Sequence, residues 1–400
     1  MKVALFTREY PPYIYGGAGV HVDYLARELA KSIAVEVHCF GDQRQHAGHL
    51  EVIGHQAWSE LEDSAGKFRA ALEALSVNLS SIRKLEQVDV VHTHTWYAAM
   101  AGYWAKKLYG VPQVLTTHSL EPLRAWKAEQ LGSGYVMSSW MERTAIEAAE
   151  AVIAVSSETR ADILRVYPAV RPERVHVIYN GIDLAEYRPT SEQSALTAYG
   201  VEPDRPYILF VGRITRQKGV THLVDAIRYL PADTQVVLCA GAPDTPEIAA
   251  EMRAKVEAVR QTHTRVVWIE KMLSKPEVIQ LYTHAAVFCC PSVYEPFGII
   301  NLEAMACHTA VVASATGGIK EVVVDGGTGY LVPFAADAKT GMPADPDRFA
   351  RDLAARCAEL LGNPARAKQM GEAGRRRVEE HFSWSAIAAQ TIELYRGLKA

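Results

Sequence analysis

The chain is poor in cysteine: six in 400 residues, at Cys39, Cys239, Cys289, Cys290, Cys307 and Cys357. That excludes a disulfide framework. Only Cys289 and Cys290 are close, and neighbours on a strand point to opposite faces, so no CxxC pair offers zinc ligands. Buried free thiols in a reducing, cytoplasmic setting are the expectation. Long apolar runs are also missing. None reaches the ~18 residues of a spanning helix, so stable membrane insertion is not expected. Met1-Lys2-Val3-Ala4-Leu5-Phe6 reads as a first strand, not a signal peptide. Nor is there an excess of one charge. Lys+Arg is 42 and Asp+Glu is 46, for a net of −4. Residues 1–190 net −3 and the remainder −1. Without a basic half, nucleic-acid binding is not expected, and any anion site must be local.

The remaining composition is that of an ordinary globular chain, with 49% hydrophobic and 22% charged residues. This excludes disordered, collagen-like and coiled-coil classes. Four hundred residues at ~150 per domain give two to three domains.

Short β-branched runs alternate with helical patterns. Val3–Thr7, Ala34–Phe40, Val88–His92, Gln113–Thr117, Ala151–Val155 and Val175–Tyr179 read as strands. Gly19–Ser32, Phe68–Leu85, Trp96–Leu108, Ser138–Ala149 and Glu158–Val166 read as helices, and a polar loop follows Phe40. A polar, proline-bearing connection spans Asp183–Pro206. A second series then runs through strands at Tyr207–Val211, Val236–Ala240, Arg265–Ile269, Val287–Cys290, Ala310–Ala313 and Gly329–Val332. The stretch Ala365–Leu398 reads as helical throughout. Such alternation predicts α/β architecture: two Rossmann-like, doubly wound domains facing across a cleft. The expected bounds are 1–185 and 200–380, with 381–400 a C-terminal helix packing back toward the N-terminal domain. Ligands of such sheets bind at the carboxyl ends of the strands.

The loops at those ends carry the chemistry. Pro291-Ser292-Val293-Tyr294-Glu295-Pro296-Phe297-Gly298-Ile299 leads from a strand into a helix that bears Glu303. Helix amides can bind phosphate or hydroxyls, and Glu295 and Glu303 can accept from sugar hydroxyls at two points. The same residues would equally serve as a helix cap and a solvated carboxylate. In Gly212-Arg213-Ile214-Thr215-Arg216-Gln217-Lys218-Gly219, Arg213 and Lys218 can clamp a diphosphate or simply solvate a loop. Tyr15-Gly16-Gly17-Ala18-Gly19 lets amides approach an anion, or makes a structural turn. It lacks the third glycine of a dinucleotide fingerprint, so NAD binding is weakly supported. Thr316-Gly317-Gly318 is another glycine turn after a strand. His92 and His94 share a strand face, but no third metal ligand is signalled. His92 reads as a hydrogen-bonded packing residue. His118 ends a strand where Rossmann-type sites sit and is a functional candidate.

Together these motifs resemble the retaining glycosyltransferases of GT-B fold, in the branch that contains glycogen and starch synthases. Thr7-Arg8-Glu9-Tyr10-Pro11-Pro12 with Gly16-Gly17-Ala18-Gly19 is similar to that family's start. So are His94-Thr95-Trp96, Thr117-His118-Ser119-Leu120, Asn180-Gly181-Ile182-Asp183 and the paired Glu295 and Glu303. The segment His118–Gly132 looks like that of the shorter actinobacterial glycogen and maltose-1-phosphate synthase group. Two positions depart from the larger synthases: Ile14 stands where they carry Lys, and Thr95 where they carry Asp.

The resemblance implies a metal-independent hexosyltransferase with a nucleotide-sugar donor, ADP-glucose before UDP-glucose, as a substrate rather than a cofactor. Catalytic roles fall by position to His118, Arg213, Lys218 and Glu295. Donor contacts fall to Gly16, Gly17, Met272, Phe297, Gly298, Ile299, Glu303 and Thr316. Acceptor contacts fall to Glu9, Tyr10, Thr95, Arg124 and Lys127, the last two being otherwise plain solvated charges. No metal-binding Asp-x-Asp sits in these loops, and no close carboxylate pair of a retaining glycosidase is found. Diphosphate departure stabilised by cations and helix amides, with front-face attack, is the expected chemistry. The leading acceptor is the non-reducing end of a soluble α-1,4-glucan; the alternative is glucose 1-phosphate, giving α-maltose 1-phosphate. A sugar-nucleotide epimerase, hydrolase or non-catalytic binder remains on the same scaffold. A homodimer is left open.

Overall fold

The computed structural model describes residues 1–85, 87–124 and 134–398. It divides into two compact units, Met1–Gly181 with Trp384–Ala400, and Ile182–Ser383.

The first unit is an eight-stranded sheet. Its strands are β1 (Lys2–Phe6), β2 (Ala34–Phe40), β3 (Arg44–Ala47), β4 (Leu50–His55), β5 (Val90–His94), β6 (Gln113–Thr117), β7 (Ala151–Ala154) and β8 (Val175–Val177). Their order is β3-β4-β2-β1-β5-β6-β7-β8. All neighbours are parallel except β3 and β4. Val3, Ala4, Leu5 and Phe6 are all buried, as a strand covered on both faces requires. The segment after Phe40, expected to be a polar loop, instead forms the edge hairpin β3–β4. Gly48, at φ +62°, makes its tight turn. Every residue of β3 is exposed, so it carries no apolar pattern that could betray a strand.

The second unit has six parallel strands: β9 (Tyr207–Arg213), β10 (Gln235–Gly241), β11 (Val266–Ile269), β12 (Val287–Cys290), β13 (Ala310–Ser314) and β14 (Gly329–Val332). Their order is β11-β10-β9-β12-β13-β14. Strand order reverses between β9 and β12 here, and between β1 and β5 in the first unit. A doubly wound sheet opens its crevice at such switch points, because the connections on either side leave in opposite directions. Six loops seen in the sequence thereby fall into two groups, one per unit.

The C-terminal stretch, expected to be helical throughout with 381–400 set apart as a C-terminal helix, is two helices, Pro364–His381 and Trp384–Gly397. The break follows from packing. Phe382 is buried and leaves helical geometry (φ −128°, ψ 37°), and its carbonyl accepts from the Ile182 amide at 2.9 Å. The last helix belongs to the first unit, packing on the helix Gly17–Leu29 with Trp384 stacked on Tyr24 at 5.7 Å. All six cysteines are buried and free.

Gly219 is the tightest joint at the β9–β12 switch point. Its φ is +62°, and a Cβ there would lie 2.1 Å from the Pro291 carbonyl oxygen. Gly219→Ala is expected to cost about 2 to 4 kcal/mol, adding left-handed strain to a clash that rigid backbone cannot relieve. Gly200→Ala, at φ +72° but in open space, should cost only about 1 kcal/mol. Urea unfolding of the two variants checks this; equal midpoints would contradict it.

Candidate active site

In the second unit, the loop after β9 and the loop after β12 are tied to each other. The Val293 amide donates to the Gln217 carbonyl at 2.9 Å. The Lys218 ammonium donates to Glu295 Oε2 at 2.6 Å, and the Ser292 hydroxyl donates to the same oxygen at 3.2 Å. Both ion-pair partners are largely sheltered, so the pair is only weakly screened by water. Arg213, the last residue of β9, donates to Asp244 Oδ1 at 2.8 Å. Both expected diphosphate cations are thus held in place by carboxylates.

The glycines of Thr316-Gly317-Gly318 have a steric reason. A Cβ on Gly317 would lie 1.9 Å from the Glu295 carbonyl oxygen, and the Gly318 amide donates to that oxygen at 2.9 Å. The turn therefore clamps the Glu295 backbone. Thr316 itself donates to the Val293 carbonyl at 3.4 Å. Gly298, at φ +100°, caps the helix Ile299–Ala306 and frees the amides that follow it. Phe297 is buried against Phe382, ring centroids 5.8 Å apart, so its side chain fills core. Glu303, just over one turn into the helix, accepts from Tyr187 at 3.1 Å and Tyr282 at 3.0 Å. Burial pushes its carboxyl up to about 7, against the pull of the two phenols. Met272 is well exposed.

In the first unit, the amides of Tyr15 and Gly16 both donate to Glu9 Oε2, at 2.9 and 2.7 Å. Glu9 thus shapes the glycine loop from within, and the Gly16 amide expected at a phosphate is turned to this carboxylate. Gly17 opens the helix Gly17–Leu29. Tyr10 is buried, and burial drives its phenol well above the ordinary range. Thr95 begins the helix Thr95–Tyr109 at φ +63°, with its hydroxyl buried and without a hydrogen-bond partner among the described residues. Arg124 pairs with the fully buried Glu121, which also accepts from Ser138 at 2.8 Å. Lys127 lies outside the described residues.

His118 stands just beyond β6, its Nε2 3.1 Å from His94 Nδ1. The sequence signalled no third imidazole. The structure supplies His21 from the first helix, with ring nitrogens of His21, His94 and His118 within 4.8 Å of one another. His21 lies on the helix Gly17–Leu29, far along the chain from the strand-end histidines, so nothing in the sequence links it to them. Its Nδ1 is 2.6 Å from Asn180 Oδ1. His92 lies beside the trio, contacting Tyr395 Oη at 2.6 Å and Thr116 Oγ1 at 2.7 Å, so it packs as expected. Burial lowers all four imidazoles, His21 to about 4 and His92 to about 3, with His94 and His118 well below the ordinary value. At neutral pH they are uncharged hydrogen-bonding groups, not acids.

One feature escaped the sequence altogether. The Arg8 guanidinium lies 4.1 Å over the Tyr97 ring, across the β1–β5 switch point. The two are far apart in the chain, and neither belongs to a glycine loop.

Residues 15–186 match the family model for Glycosyltransferase Family 4, and residues 195–377 that for Glycosyl transferases group 1. An alpha-maltose-1-phosphate synthase of Mycolicibacterium smegmatis is 52% identical, over 100% of both chains. The chain belongs to the GT-B glycosyltransferases. It is a nucleotide-sugar-dependent hexosyltransferase of the group that contains glycogen and maltose-1-phosphate synthases. The alpha-maltose-1-phosphate synthase of Mycobacterium tuberculosis is 51% identical over 99% of each chain. Among solved structures, the sucrose-phosphate synthase of Thermosynechococcus elongatus superimposes on this glycosyltransferase with a TM-score of 0.79, at 27% identity, covering 99% of this chain and 98% of that one. Among the described residues, no helix is long and apolar enough to cross a membrane.

The imidazole cluster sets an acid limit on this glycosyltransferase. Each folded pKa lies below the unfolded value of 6.5, so below that pH the unfolded state binds more protons and stability falls. The loss starts near pH 6.5 and continues toward pH 4, by about 1.4 kcal/mol per pH unit for each proton taken up. Glu303, held up near 7, pulls the other way over the same window, so the readout is a difference: the wild-type tryptophan-monitored urea midpoint is expected to drop relative to that of His92→Gln as pH falls. A difference that stays constant between pH 7 and 5 would contradict the assignment.

Proposed function

We propose that this glycosyltransferase moves glucose from ADP-glucose onto glucose 1-phosphate, giving α-maltose 1-phosphate. The observation that carries this reading is the full-length 52% identity to an enzyme of that name. The glucan acceptor that led the sequence-based expectation has no comparable support. The nucleotide sugar is a substrate in this reading, and no resident cofactor is called for.

The bond between the donor's anomeric carbon and the diphosphate breaks, and a bond to O4 of the acceptor forms on the same face. The acceptor hydroxyl's proton passes to the departing phosphate oxygen, so the α configuration is retained and no protein group changes protonation. The barrier is then chiefly the charge growing on the diphosphate. Lys218 and Arg213 would take that charge, aided by the amides that follow Gly298. Their carboxylate partners keep both cations preset in a partly sheltered site, so little reorganisation accompanies the step. Glu295 would accept from glucose hydroxyls through the oxygen not committed to Lys218. Glu303 would hold the ribose hydroxyls, Met272 would line the base, and Thr316 would lie near the phosphates. His118, uncharged at neutral pH, suits a hydrogen bond to the glucose C6 hydroxyl rather than proton transfer.

Incubation of the enzyme with ADP-glucose and glucose 1-phosphate should yield maltose 1-phosphate, and Lys218→Ala or Arg213→Ala should lower kcat about 100-fold or more with folding retained. Product analysis by mass spectrometry decides. Extension of glucan with no maltose phosphate would overturn the acceptor assignment, and near-normal turnover in both variants would overturn the site.

A further inference from the structure

A cation that no carboxylate engages offers all of its hydrogen-bond donors to an incoming oxyanion. Among the described residues, each expected anion-binding cation has a carboxylate partner: Arg213 pairs with Asp244, Lys218 with Glu295, and Arg124 with Glu121. Arg8 differs. It is exposed, and among the described residues its guanidinium makes no ion pair; its neighbour is the face of Tyr97. Stacking on an aromatic ring orients a guanidinium without using its hydrogen-bond donors, which leaves the planar fork free for a bidentate oxyanion.

The surroundings agree with an anion at this point. Tyr97 sits in the first turn of the fifteen-residue helix Thr95–Tyr109, which has no acidic residue in that turn and no side-chain cap at its start. Its amides therefore present partial positive charge that nothing in the cap neutralises. The Thr95 hydroxyl beside them is buried without a partner among the described residues. Arg8 follows β1, Thr95 follows β5 and His118 follows β6, on three adjacent strands. Arg8 and His118 are thus about two strand spacings, ~10 Å, apart along one sheet edge. A sugar phosphate can span that interval, with its phosphate at one end and its O4 hydroxyl at the other.

We infer that Arg8, held on Tyr97, is the residue that binds the phosphate of the acceptor, with the Thr95 hydroxyl and the first amides of its helix. The inference rests on the acceptor proposed above and deepens it. It assigns discrimination between a sugar phosphate and a neutral sugar to one stacked guanidinium. Arg124, locked to Glu121, becomes a support for the neighbouring loop.

The test compares wild type, Arg8→Ala and Arg8→Lys with ADP-glucose and either glucose 1-phosphate or maltose as acceptor. Loss of a charge-assisted contact to phosphate should raise KM for glucose 1-phosphate about 10- to 100-fold in Arg8→Ala, with partial recovery in Arg8→Lys. The ratio of kcat/KM between phosphorylated and neutral acceptor should fall by the same factor, while KM for ADP-glucose shows that the fold and donor site persist. If wild type transfers to glucose 1-phosphate but Arg8→Ala keeps its KM, the inference fails alone. If Arg8→Ala instead raises KM for ADP-glucose, Arg8 serves the donor diphosphate and the inference is overturned. If wild type makes no maltose phosphate, the functional reading fails and takes the inference with it.

Discussion

The ion pair between Lys218 and Glu295 is the interaction that ties the second unit's candidate site together. It joins the loop after β9 to the loop after β12, across the point where strand order reverses. Everything close by serves it. Gly219 allows the chain to pass the Pro291 carbonyl, Gly317 and Gly318 clamp the Glu295 backbone, and Ser292 steadies the carboxylate. An exposed pair of this kind would contribute little. A sheltered one keeps a cation available in a low-dielectric setting, where it acts on growing negative charge more strongly than in water. A net charge of −4 is no obstacle, because the field that matters is local.

The first unit solves a different problem at its own switch point. The described polar groups there, Arg8 apart, are neutral or internally committed. Glu9 is engaged by two amides, Arg124 by Glu121, and four imidazoles are uncharged through burial. Such a surface binds hydroxyls well and charges poorly, which suits a sugar. Arg8 is the exception among these groups, and its isolation is what singles it out for a phosphate.

Much of this was legible in the sequence because it is local. Glycine loops between a strand and a helix announce their own geometry, so Gly16–Gly19, Gly212–Gly219, Glu295–Glu303 and Thr316–Gly318 read as strand-end loops from the sequence alone. Alternation of strands and helices likewise gave two parallel α/β series. What was not legible is non-local. The two phenols on Glu303 come from Tyr187, far upstream, and from Tyr282. Arg8 meets Tyr97, and His21 meets His118, only because β1, β5 and β6 are neighbours in the sheet. The edge strand β3 is wholly exposed and carries no periodic signal. The break at Phe382 reflects a burial preference that overrides helix propensity, with Ile182 supplying the partner.

One phosphate-bearing ligand is proposed for each unit: the donor's diphosphate at Arg213 and Lys218, and the acceptor's phosphate at Arg8 and Thr95. A crystal structure of the enzyme with ADP and glucose 1-phosphate bound together tests this most directly. The expected result is ADP phosphate oxygens in hydrogen-bond contact with Lys218 and Arg213, and the acceptor phosphate in contact with the Arg8 guanidinium. An acceptor phosphate bound elsewhere, with Arg8 still resting on Tyr97 and touching no ligand, would contradict it.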